Sequence, residues 1–187
     1  MNKMSALKEK YKKEIAPKLK EEFGIVNSMA VPKVTKIVIN VGVGGLEKDK
    51  KALEAISKDL AKITGQKPQV RPAKVSVAGF NIRQGMPVGL RVTLRGKKMY
   101  SFLEKFFSVV LSRLRDFKGV PAKSFDQGGN YTLGLKEHIV FPEIDLASSA
   151  GARGLEISFV TNAGEAKKAR RLLELLGMPF EKGETHG

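Results

Sequence analysis

The chain has 187 residues, 42% apolar and 28% charged, which fits one domain with a real core and excludes a disordered polyelectrolyte. Its net charge of +15 favours an anionic partner, and the absence of cysteine excludes disulfides, thiolate metal sites and a thiol nucleophile. The longest conspicuous apolar run, Phe106 to Leu111, is too short for a membrane helix, and no apolar signal core follows the basic N-terminus, so a cytosolic protein is expected.

Leu7, Tyr11, Ile15, Leu19 and Phe23 recur every four residues and predict a basic amphipathic helix over 3–23. Pro17 is expected to kink or restart it, and Gly24 to end it. Without a Trp anchor, the lysines Lys8, Lys10, Lys12, Lys13, Lys18 and Lys20 point to solvent or RNA ahead of a membrane surface. From Val34 to Val43, Ile37, Ile39 and Val41 alternate with Lys36, Val38 and Asn40, which predicts a strand with one face in the core. The following Gly42, Gly44 and Gly45 imitate a dinucleotide fingerprint, but position 47, where its third glycine belongs, is Glu47. A tight turn is the better reading. Asp49 then caps a helix carrying Leu53, Ile56, Leu60 and Ile63, which stops at Gly65.

The segment Leu60–Leu103 holds nine basic residues, Lys62, Lys67, Arg71, Lys74, Arg83, Arg91, Arg95, Lys97 and Lys98, and no Asp or Glu. So uncompensated a field calls for a polyanion. Arg91, Thr93 and Arg95 alternate with Leu90, Val92 and Leu94, so a strand here buries one face and presents a polar, cationic one. Val75 and Val77 alternate likewise with Lys74 and Ser76. Two strands joined by the glycine-punctuated AGFNIRQGMPVG read as an antiparallel pair with a long projecting loop, about 74–89. A plain soluble outer face is the alternative, and the missing counter-charge weighs against it.

Met99, Leu103, Phe106, Val110 and Leu114 predict a helix from Lys97 to about Arg115, in which Phe102 and Phe107 serve the core rather than a stacking platform. A turn at Asp126 to Asn130 opens a region rich in acid: Asp126, Glu137, Glu143 and Asp145. These carboxylates could hold Mg²⁺ in a nuclease, but no helix or strand period gathers them, and a protein-contact role is preferred. His138 alone supplies neither a histidine metal cluster nor a triad. Asn130-Tyr131-Thr132 spells a glycosylation acceptor that a cytosolic protein would not use. A last strand, with Leu155, Ile157 and Phe159 inward, precedes a helix lined by Ala166, Ala169, Leu172, Leu173 and Leu176 and closed by Gly177. The expected fold is α+β: a mixed, mostly antiparallel sheet with helices on one face, the other face open, and a projecting hairpin loop.

Long blocks in fixed order now become recognisable: VPKVTKIVINVGVG, ITGQKP, the run from Ala73 to Gly89, VTLRGKKMYSFL, FDQGGNYTLGLKE, FPEID and LLELLGMPF. Over nearly the whole chain the sequence resembles large-subunit ribosomal protein five of bacterial type. The resemblance implies a non-enzymatic RNA-binding protein of the central protuberance, with no cofactor and no metal. Its implied partners are 5S rRNA, large-subunit rRNA, neighbouring protuberance proteins, peptidyl-site tRNA and small-subunit protein thirteen. It implies a 5S contact at Asn40, Gln66 and Thr93, beside Lys67, with Lys36, Arg91 and Arg95 added from strand alternation. It implies a tRNA-contacting loop with Lys74, Ser76, Phe80, Asn81 and Arg83, and an intersubunit contact at Glu143 and Asp145. Two departures stand out. Relatives read PRxRDF where this chain has Ser112 to Phe117, so continued helix is expected there, and the segment after FPEID is small and nearly neutral rather than acidic.

Overall fold

The N-terminal apolar stripe folds as α1 (Ala6–Lys10), a wider π turn (Tyr11–Ile15) and α2 (Ala16–Glu22) in a computed structural model that describes residues 5–46, 49–114, 119–144 and 151–181. Pro17 has no N–H for the preceding turn, and the interruption expected of it takes the form of the π turn immediately before it. Gly24, at φ +60°, ends the helix, and the Ile25 N–H returns to the Lys20 carbonyl at 2.9 Å.

The remaining main elements are β1 (Val34–Gly42), α3 (Lys50–Thr64), β2 (Gln69–Pro72), β3 (Pro87–Leu94), α4 (Gly96–Lys105), β4 (Tyr131–Leu135), β5 (Leu155–Thr161) and α5 (Ala166–Leu176). The strands form an antiparallel sheet in the order β2-β3-β1-β5-β4, with helices packed against it. Ile37, Ile39 and Val41 on β1, Leu90, Val92 and Leu94 on β3, and Leu155, Ile157 and Phe159 on β5 are buried, so the alternation in sequence does mark the core face. The chain forms two compact units: Met1–Ile37 with Leu94–Leu133 and Ser158–Gly187, and Val38–Thr93 with Gly134–Ile157.

The first unit is built on aromatic packing. Phe106 lies 5.9 Å from Phe102 and 5.8 Å from Phe159 between ring centroids, and Tyr131 lies 4.7 Å from Phe125. Phe102 is buried and Phe107 stacks on Phe159, so both serve the core. Beyond α4 the helical path runs through a π turn (Phe106–Val110) and a 3-10 turn (Leu111–Arg113), and Leu114 is extended. Leu114, expected to continue the helix, is thus corrected to an extended residue. Ser108 and Ser112 bond back to the carbonyls of Glu104 and Val109, a side-chain competition that loosens a helix end. Residues 115–118 lie outside the described residues.

The turn at Asp126 is held by its own amides. The Asp126 carboxylate accepts from the Asn130 N–H and side-chain amide, both at 2.7 Å, and these bonds hold its carboxyl below the usual range. The Asn130 amide oxygen in turn accepts from the Thr161 N–H, so this side chain ties a turn to β5. Gly129, at φ +77°, allows the backbone to close on the Glu165 carbonyl, which a Cβ would meet at 2.8 Å.

In the second unit, Asp49 caps α3 by accepting from the Lys51 and Ala52 N–H groups. The strand expected over Val75 and Val77 is corrected to Gln69–Pro72, which pairs antiparallel with β3. Val75 and Val77 are exposed on the loop instead, because the pairing with β3 ends at Pro72 opposite Pro87, where neither residue has an N–H to extend the ladder.

Candidate nucleic-acid interface

Five of the residues expected to touch 5S rRNA stand in the second unit: Asn40, Gln66, Lys67, Arg91 and Thr93. On β3, Leu90 and Val92 point into the core, leaving Arg91 and Thr93 half-buried on the opposite face. Register adds a neighbour, since Gln69 pairs directly with Arg91, and paired residues share a face. Arg71 similarly pairs with Gly89, where a Cβ would come 3.1 Å from the Val41 carbonyl, so β1 and β3 approach closely. Counted antiparallel from the Val43 N–H to Val88 carbonyl bond, Asn40 falls opposite Arg91. A polar row of Gln69, Arg91 and Asn40 therefore crosses three strands.

The chemistry of this row is unfinished within the protein. The Arg91 Nε is buried with no hydrogen-bond partner, and among the described residues the side chains of Asn40 and Thr93 have none either. Gln66 is different: its amide N–H donates to the Thr93 carbonyl at 3.3 Å, joining the α3–β2 turn to β3. Lys67 is exposed beside it. The described carboxylates of Val38–Thr93, namely Asp49, Glu54 and Asp59, all belong to α3 or its cap. From Gly65 to Thr93 the strands and loop carry positive charge only, as the sequence requires.

Lys36 and Arg95 stand in the first unit, Lys36 half-buried on β1 and Arg95 exposed at the start of α4. Val38, on the same face as Lys36 and Asn40, is buried, because β1 is the central strand and its neighbours shade it. The outward face is thus less open along β1 than alternation alone suggests.

Residues 73–86 form the projecting loop. Its base closes with Ala73 N–H to Met86 carbonyl at 2.8 Å and Gly85 N–H to Ala73 carbonyl at 3.0 Å, and Val77 and Ile82 bridge higher up. The Ser76 hydroxyl accepts the Gln84 N–H at 2.9 Å, so it shapes the loop from within. At the tip a short 3-10 turn (Ala78–Phe80) leads to Asn81 in the left-handed region at φ 54°, a conformation Asn tolerates better than most residues. Phe80 is 77% exposed, and Lys74, Asn81 and Arg83 are exposed around it. An aromatic ring held out to water among cations can stack on a nucleobase.

Glu143 is exposed on a turn after Phe141, and Asp145 lies outside the described residues. His138 is buried and faces Asp59, with the Nε2 to Oδ2 distance 3.6 Å. Among the described residues no group of three or more Asp, Glu or His stands ready for a metal ion. Nothing in the sequence singles out Gln69, and Arg71 stands out only as part of the cationic segment, because β2 is four residues long with no buried face; its register with β3 places both.

Two family models match the chain: "Ribosomal protein L5" over residues 27–83, and the C-terminus model of the same ribosomal protein family over residues 87–180. Among curated proteins, it is 55% identical over 177 residues to "Large ribosomal subunit protein uL5" of Rubrobacter xylanophilus, covering 95% of this chain and 98% of that one. Proteins of the same name from Thermoanaerobacter sp. (strain X514) and Halothermothrix orenii are 55% and 54% identical over 179 residues, covering 96% of this chain and all of theirs.

Proposed function

The chain belongs to the ribosomal protein L5 family, a structural, non-enzymatic component of the large ribosomal subunit, and from that premise we propose that its outward sheet face binds 5S rRNA. The observation that carries this reading is the row Gln69, Arg91 and Asn40, with an unpartnered guanidinium nitrogen and no carboxylate on its strands. Cationic groups meet phosphates and set affinity, while amide and hydroxyl groups at fixed spacing sense RNA shape and sugar hydroxyls. Large-subunit rRNA and neighbouring protuberance proteins complete the surroundings, on ribosomes in the cytoplasm.

The loop is assigned to peptidyl-site tRNA, with Lys74 and Arg83 on phosphates and Phe80 stacking at its tip. Glu143 and Asp145 are assigned to a basic partner across the subunit boundary, small-subunit protein thirteen. The two RNA contacts separate cleanly by mutation. Phe80→Ala combined with Arg83→Ala is expected to reduce crosslinking to peptidyl-site tRNA in assembled ribosomes severalfold, with 5S rRNA affinity held within about twofold, because the two side chains sit on the loop and not on the sheet. Unchanged crosslinking would remove the loop assignment.

A further inference from the structure

We propose that Thr64, at the C-terminal end of α3, is the positioning residue that sets Gln66 for its contact with RNA. Thr64 is only 6% exposed, so it meets no ligand itself. Its hydroxyl lies 2.7 Å from the Leu60 carbonyl and 3.0 Å from the Gln66 carbonyl, and it accepts the Gln66 N–H at 3.3 Å. One hydroxyl thus ties the last turn of α3 to the backbone of Gln66 as both donor and acceptor. Gly65 between them, at φ +64°, sends its own N–H to the Ala61 carbonyl at 2.8 Å, so the turn is held from two sides.

The fixed backbone then fixes the side chain. Gln66 reaches the Thr93 carbonyl at 3.3 Å, and since a carbonyl only accepts, the amide nitrogen must face it. The amide oxygen is left without a partner among the described residues. Gln66 therefore offers an acceptor, and the complementary group on RNA is a donor, of which the ribose 2′-hydroxyl is the one that tells RNA from DNA. Deleting the Thr64 hydroxyl frees the turn and scatters that acceptor.

This inference rests on the 5S rRNA reading above, and four variants keep the two apart. Binding of 5S rRNA is measured well below each variant's melting point for the unaltered protein, T64V, T64S, Q66A and T64V/Q66A. Q66A is expected to lose about tenfold in affinity, the worth of one to two hydrogen bonds. T64V should lose a similar factor, T64S should stay within about twofold of the unaltered protein, and T64V/Q66A should be no weaker than Q66A alone. Multiplying losses in the double variant would mean that Thr64 does not act through Gln66, and would overturn the proposal. So would a T64S variant as weak as Q66A, whatever the valine does to folding. If the unaltered protein itself ignored 5S rRNA, both the reading and the inference would fall; if Q66A alone weakened binding, only the inference would.

Discussion

Replacing His138 by leucine is expected to lower the melting temperature by about 10 °C, the equivalent of about 3 kcal/mol for a chain of this size. His138 and Asp59 are 3% and 2% exposed, so water cannot screen either group. His138 Nδ1 lies 3.1 Å from the Arg153 amide nitrogen and 3.3 Å from the Arg153 carbonyl, which fixes the ring so that Nε2 faces the Asp59 carboxylate at 3.6 Å. Leucine would leave that carboxylate buried with, among the described residues, only Lys62, 4.0 Å away and half-exposed, to balance it. The effect is placed at the low end of the range for broken buried pairs because the lysine can follow. Converting both residues to leucine should recover part of the loss, since two apolar groups need no partner. A double variant that loses the sum of the two single losses would contradict the coupling.

Arg91→Ala is expected to weaken 5S rRNA binding by about 10- to 100-fold while leaving thermal unfolding nearly unchanged. The guanidinium makes no bond to the protein through Nε, so its removal takes little from the fold. Its loss on RNA is a charge-assisted contact to phosphate. Counterion release gives a second signature: if about five or six phosphates are neutralised, the log–log slope of affinity against salt is about −4 to −5, and R91A should make it shallower by about 0.7 to 0.9. Asn40→Ala and Thr93→Ala carry no charge and should lower affinity by about tenfold with the slope intact. A slope that did not change in R91A would remove Arg91 from the phosphate-binding groups.

Core and charge were the legible parts of this chain. Leu90, Val92 and Leu94 are buried where period-two alternation put them, and the lack of any Asp or Glu from Leu60 to Leu103 was enough by itself to identify the cationic strands. Val75 and Val77 misled for the same reason that Leu90 and Val92 did not: alternation reports which way side chains would point in a strand, not whether a partner strand exists. Gln69–Pro72 is only four residues long, lies at the sheet edge and is exposed throughout, so it becomes a strand through pairing with β3 alone. Asp59 and His138, far apart in sequence, left no local signal. Neither did the hydroxyl of Thr64, whose role depends on where two carbonyls happen to converge.

A competition assay addresses recognition itself. Labelled 5S rRNA bound to the purified chain at physiological salt is challenged with unlabelled 5S rRNA and with an unrelated structured RNA of equal length. The expected result is displacement by unlabelled 5S rRNA at a concentration about 100-fold or more below that needed of the unrelated RNA, since non-specific phosphate attraction is common to both. Equal displacement by the two would show a general polyanion binder and contradict a sheet face shaped for 5S rRNA.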